Sequence, residues 1–196
     1  KWGVNTIGNW SDAKLERQRR KAITCTFYPA GADSRLMGLG DVYGDNFKQR
    51  LRESLQKTIA PHRDNPWLIG YFMGNEPSWV GQEQRLCQMI LDGEDRGIKT
   101  ALRQWLSQHG DSKEQRKAFV YDCFRRYIEA VKAMQMELDP HRLCPGYRFA
   151  SVYDVNETLL GICGKVFDVL SFNCYSLTPG HDMMDRVLRQ SGLPMM

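Results

Sequence analysis

Short apolar runs alternate along the chain with segments whose apolar residues recur every three to four positions. "WGVNTIGNW" (2–10) reads as a strand that ends in polar residues, and "DAKLERQRRKA" (12–22) as a helix capped by Ser11 or Asp12. "AITCTFYP" (22–29) is rich in β-formers and stops at Pro29. Phe47, Leu51, Leu55 and Ile59 give residues 45–62 one apolar helical stripe. "WLIGYFMGN" (67–75) is a strand, and residues 119–138 form a long amphipathic helix ended by Asp139-Pro140. A weaker strand over 142–150 is interrupted by Pro145. A short helix over 154–165 has Asp154 and Glu157 at capping-box spacing. "FDVLSFNCYS" (167–176) is a strongly apolar strand, 181–192 a helix closed by Gly192, and "LPMM" (193–196) opens a possible further strand.

Apolar strands alternating with helices predict a parallel sheet covered on both faces. A doubly wound sheet and a (β/α)8 barrel both produce this order. Two features favour the barrel. No strand leads into a phosphate loop of the G-x-G-x-x-G kind. And polar residues gather at strand C-terminal ends, at Asn9 and Trp10, Tyr28, Asn75 and Glu76, Arg148, and Asn173 and Tyr175, the end at which barrels build active sites. The expectation is an α/β fold, a single partial (β/α)8 TIM barrel over 1–196. The connection at about 77–118 is too long for a plain loop and is helical in character at 83–91 and 97–108. It reads as a helical insertion over the barrel mouth, or else as surface decoration.

Composition changes little in this picture. Apolar residues make up 42% and charged residues 26%, ordinary for a globular protein. The basic runs at 16–21 and 48–53 are interleaved with acids on helical segments, so they read as solvated faces rather than a nucleic-acid surface, and the net charge is only +4. No run approaches the roughly 18 apolar residues of a membrane helix. The six cysteines form no C-x-x-C pair and no zinc spacing, so they are expected as small buried apolar residues, with no disulfide assigned and no metal or cofactor implied.

The chemistry concentrates in "GNEPSW" (74–79). A glutamate at the end of an apolar strand is expensive unless it is hydrogen-bonded or used, and apolar surroundings favour a protonated carboxyl, which suits a proton donor. Asn75 offers an amide to a substrate hydroxyl, Pro77 is expected to restrict Glu76 to extended backbone, and Trp79, Trp10 and Tyr175 offer flat faces for sugar rings. A carboxyl, an amide and aromatic faces suit general-acid cleavage of a glycosidic bond.

These residues carry a resemblance. "GYFMGNEPSW" (70–79) resembles the strand-four motif of the clan of (β/α)8 retaining glycoside hydrolases that includes β-galactosidases, cellulases and agarases, with closer similarity to the agarase-like branch. "GVNTIGNWSD" (3–12) resembles that branch's strand two, and "DVYGDNFKQRL" (41–51) its segment before helix three. "YRFASVYDVNETL" (147–159) and "FDVLSFNCYS" (167–176) resemble its strands five and six. Pro77 points back to the wider clan.

The resemblance implies that Glu76 is the general acid/base and that Asn75 binds the substrate's 2-hydroxyl. It sets Tyr175 near the nucleophile and faces Asn9 and Trp10 toward the substrate, with Asn173 and Arg148 as further substrate contacts. It also implies that the chain carries strands two to six and the start of strand seven, so that the nucleophilic glutamate lies beyond Met196. On that expectation this is an inactive piece of a longer enzyme acting on β-linked poly- or oligosaccharide by double displacement. A polysaccharide substrate favours a secreted or periplasmic setting. Asp12, Asp154, Glu157 and Asp168 are poor substitutes for the nucleophile. The rival readings are a non-catalytic carbohydrate-binding barrel and, more weakly, a nucleotide-using α/β enzyme.

Overall fold

The computed structural model describes residues 3–178 and 180–196; Trp2, where the first strand was expected to begin, lies outside them. Six short strands alternate with seven α-helices among the described residues. The strands are β1 (Thr6–Ile7), β2 (Ala22–Thr26), β3 (Leu68–Phe72), β4 (Gly74–Asn75), β5 (Tyr147–Phe149) and β6 (Ser171–Phe172). The helices are α1 (Ala13–Arg17), α2 (Phe47–Ile59), α3 (Glu83–Asp92), α4 (Gly97–His109), α5 (Lys113–Leu138), α6 (Glu157–Gly164) and α7 (His181–Ser191).

All strand pairing is parallel, in two three-stranded sheets ordered β1-β2-β3 and β4-β5-β6. Only Met73 separates β3 from β4, and the segment entering β5 runs beside both. Leu143 N–H donates to Ile69 O at 3.1 Å, Tyr71 N–H to Leu143 O at 3.0 Å and Met73 N–H to Gly146 O at 2.7 Å. Beyond β6, Met196 N–H donates to Leu170 O at 2.8 Å, so the "LPMM" segment does align as a further parallel neighbour. The strands therefore lie side by side in chain order. Among the described residues that order has no reversal point of the kind a doubly wound sheet contains.

Helix boundaries follow burial. In α2 the stripe Phe47, Leu51, Leu55 and Ile59 is buried where the helix packs on α5, and α5 presents Phe124, Tyr127, Ile128 and Val131 to the same core. Helix α5 begins six residues earlier than the apolar pattern predicts, because Ser112 caps it by accepting from Gln115 N–H at 3.2 Å. Helix α1 is shorter than predicted. None of its residues is buried, and a helix that is polar all round has no packing to extend it. The expected Asp154–Glu157 capping box does not form; Asn156 caps α6 instead, accepting from Leu159 N–H at 3.1 Å. Within the long connection, α3 and α4 pack on each other, on α5 and on the loop after β2. There Arg96 pairs with Asp33 at 2.7 Å, and Ser78 Oγ donates to Met37 O at 3.0 Å.

Five cysteines are buried and Cys174 is exposed; all six are free thiols. Burial pushes Cys25 and Cys87 up to about 12, as expected of small apolar core residues. Among the described residues, no helix is long and apolar enough to cross a membrane.

Close strand approach depends on missing side chains. A Cβ on Gly70 would sit 2.2 Å from Leu143 O, whereas one on Gly161, within α6, meets nothing within 4 Å. Gly70→Ala is expected to destabilise the chain by about 1–3 kcal/mol through forced strand separation, and Gly161→Ala to stabilise it by about 0.5–1 kcal/mol. Urea unfolding of both variants measures the contrast.

Candidate active site

The C-terminal ends of β1 to β6 carry the polar residues, and three of these ends leave the sheet through unusual backbone. Trp10 after β1, Ala30 after β2 and Glu76 after β4 have φ of 63°, 52° and 45°. Such conformations cost on the order of 1–3 kcal/mol each and persist where surrounding contacts hold them. Ala30 is held by its N–H donating to Ser54 Oγ at 3.0 Å and its carbonyl accepting from Tyr127 Oη at 3.0 Å. Glu76 is held by its N–H donating to Arg148 O at 2.8 Å. The expectation that Pro77 keeps Glu76 extended is therefore wrong. The last ladder bond keeps Glu76 in the sheet while the chain turns away to Ser78, and the left-handed φ accommodates both.

The Glu76 carboxylate is exposed, without the apolar enclosure expected for it. Its Oε1 accepts a hydrogen bond from Asn173 Nδ2, so a strand-four side chain is aimed by one at the end of β6. Between them, at the end of β5, Arg148 donates from Nη1 to Asn75 Oδ1 at 3.3 Å. Its guanidinium lies 4.6 Å from the Phe72 ring centroid and 5.6 Å from that of Trp10. Burial pushes Arg148 below the usual arginine range, while the charges of Glu76 and Tyr175 pull it back up. Asn9 Nδ2 donates to Thr26 Oγ1 at 2.5 Å, linking the ends of β1 and β2.

Two clefts flank this group. One, of about 240 Å³, is bounded by Tyr28, Met73, Asn75, Glu76 and Tyr147. The other, of about 450 Å³, is bounded by Tyr153, Phe172, Asn173, Tyr175, Met183 and Met196. The insertion supplies only Pro77 and Ser78 to the first cleft and nothing to the second.

The structure thus brings Glu76, Asn75, Arg148, Asn173 and Trp10 together, with Tyr175 at the rim, 89% exposed, and Asn9 bonded one strand away. Trp79 does not join them. It is fully buried, 4.9 Å from the Phe124 ring and edge-on to Tyr121, a core side chain under α5. Two of the other carboxylates considered from the sequence are committed elsewhere. Asp12 caps α1 by accepting from Lys14 N–H, and Asp168 pairs with Lys132 at 2.6 Å and accepts from Cys144 N–H. Glu157 lies in the first turn of α6. Thr26, Phe72 and Tyr153 were missed in the sequence. Thr26 and Phe72 sit inside strands, where nothing in the local pattern distinguishes a residue facing the site. Among the described residues, no group of three or more His, Cys, Asp or Glu is placed to hold a metal ion.

No family model matches the chain. A curated relative, Beta-agarase B of Vibrio sp. (strain JT0107), is 26% identical over 86 residues, which are 40% of this chain and 9% of that protein. Over 99% of its length the chain superposes on the crystal structure of BpGH50 with a TM-score of 0.78 at 21% identity, covering 50% of that chain. It superposes equally fully on the agarase AgWH50C, with a TM-score of 0.76 at 21% identity, covering 32% of that chain. An exo-beta-agarase gives a TM-score of 0.71 at 17% identity, again over 99% of this chain and 32% of the other. The chain shares the fold of these proteins, and it spans between a third and a half of the length of those solved structures.

The two tryptophans near the site now carry opposite expectations. Trp79→Ala should destabilise the fold by about 3–5 kcal/mol. Trp10→Ala, at a position 77% exposed, should leave stability within about 0.5 kcal/mol. Equilibrium unfolding by intrinsic fluorescence and circular dichroism measures both.

Proposed function

We propose that this chain is the strand-two-to-six part, with the opening of strand seven, of a (β/α)8 retaining glycoside hydrolase of the agarase- and β-galactosidase-like clan, acting on β-linked galactan-type polysaccharide. Chain-order parallel strands and the fold shared with agarase structures support this reading. The observation that carries it is local. Glu76 stands at the end of β4, its carboxylate accepts from Asn173 at the end of β6, and Asn75 and Arg148 lie alongside.

In this reading Glu76 protonates the glycosidic oxygen as the bond to the leaving sugar breaks. It then takes a proton from the water that attacks the glycosyl-enzyme. Asn75 holds the substrate's 2-hydroxyl, and Trp10 and Tyr175 bear the sugar's apolar face. Asn173 fixes the direction of the Glu76 carboxyl. The nucleophile is a glutamate at the end of strand seven, about 5–5.5 Å from Glu76. No cofactor takes part.

One observation favours the second reading, a carbohydrate-binding barrel without catalysis: of the other candidate carboxylates, Asp12 is committed as a helix cap and Asp168 as an ion pair.

The test is turnover of agar and β-galactan oligosaccharides by the longer enzyme, with and without Glu76→Gln. Loss of the proton donor should lower kcat by about 10²–10⁴-fold on sugar leaving groups and by much less on an activated aryl glycoside. Turnover within a few-fold of the unaltered enzyme on oligosaccharides removes Glu76 from the role. Tight oligosaccharide binding by the unaltered longer protein, without any product, selects the binding barrel.

A further inference from the structure

Half-buried arginines elsewhere in the chain have closer partners, although Nε of Arg142 and of Arg186 lacks a hydrogen-bond acceptor. Arg52, Arg96, Arg116, Arg125 and Arg142 each have a carboxylate oxygen within 4.0 Å. Arg186 donates to the carbonyls of Val152 and Val155 at 2.8 and 3.3 Å. Arg148 is the exception. Among the described residues no carboxylate approaches it within salt-bridge distance, and its one side-chain hydrogen bond, to Asn75, is 3.3 Å long. That is far beyond the roughly 2.7–2.9 Å of a strong charged pair.

A guanidinium presents five N–H donors in a rigid planar fork. Here the Phe72 and Trp10 rings lie against it, and burial already disfavours its charge. Drawing a cation partly out of water without a partner is costly. Its Nη1 reaches Asn75, the residue before Glu76 at the strand ends. The ligand that satisfies such a group is a planar or tetrahedral oxyanion able to accept two parallel hydrogen bonds.

We propose that Arg148 is the receptor for an anionic substituent, a carboxylate or a sulfate ester, on the sugar bound next to Glu76, so that the preferred substrate is an acidic polysaccharide rather than a neutral one. This rests on the carbohydrate reading above. The aromatic rings and the amide of Asn75 read the sugar ring, and Arg148 reads its charge. The charge of Glu76 favours the charged form of the same guanidinium, yet the two form no salt bridge.

The test uses one β-linked galactan tetrasaccharide in three forms: neutral, oxidised at C6 to the uronate, and sulfated. Each is titrated calorimetrically, at low ionic strength, into the Glu76→Gln variant of the longer enzyme, in which hydrolysis is slowed. At least one charged form should bind about tenfold or more tighter than the neutral form, the gain of one well-formed charged pair. The form that does so identifies the anion. In an added Arg148→Gln change that preference should vanish while neutral binding persists, which also reports that the protein is folded. Arg148→Lys keeps the charge and loses the fork, so part of the preference should survive; it carries the test if the glutamine variant does not fold. Equal affinity for all three forms overturns this proposal alone. Binding of none overturns the carbohydrate reading with it. A preference undiminished in both variants shows that charge is read elsewhere, and also overturns the proposal.

Discussion

The hydrogen-bond ladder between residues 69–76 and 143–148 is the constraint on which the rest depends. It joins the two three-stranded sheets through Leu143, Tyr71 and Met73, and its last rung, Glu76 N–H to Arg148 O, ends at the candidate site. The approach is close enough to exclude side chains. A Cβ on Gly74 would lie 2.4 Å from the Tyr147 ring and one on Gly146 would lie 2.1 Å from the Phe167 ring. Gly146 also has a φ of 64°, a region that glycine occupies without penalty. The glycines of "IGYFMGNE" and "CPGYRF" are what this contact requires of the sequence.

A fixed ladder makes the strand ends a rigid rim. Glu76, Arg148 and Asn173 come from β4, β5 and β6, three adjacent strands, so their spacing is set by backbone pairing rather than by loops. The left-handed φ of Glu76 follows from the same rigidity: the rung holds the nitrogen and the chain must leave at once. Side chains then finish the arrangement. Asn173 orients the carboxylate, and the rings of Phe72 and Trp10 hold the guanidinium in a part of the rim where water is partly excluded.

The alternation of strands and helices was legible because each element has its own period of apolar residues; the stripe of α2 and the run 67–75 are examples. The grouping of Asn9, Trp10, Asn75, Glu76, Arg148 and Asn173 at one end of the sheet was legible for the same reason, since parallel strands put all their C-terminal ends together. Trp79 was misread because a tryptophan three residues after a strand-end glutamate looks the same whether it faces sugar or core. Only the position of α5 decides, and that depends on an insertion whose packing the sequence does not display. The left-handed backbone of Glu76 was hidden because Pro77 argues locally for the opposite. The missing partner of Arg148 was hidden too, because pairing is a property of neighbours drawn from distant parts of the chain.

The strands lie beside one another in the order in which they occur in the sequence. Each new strand therefore pairs with the edge left by the one before it, but residues 69–76 gain their second neighbour only when the segment 143–148 has been made. A growing polypeptide of this kind can add its strands in turn as it leaves the ribosome, and the step from Gly70 to Leu143, across the helical insertion, carries the largest loop-closure cost. Until that step is taken, the backbone of β3 is an open edge of the kind that invites pairing with another chain.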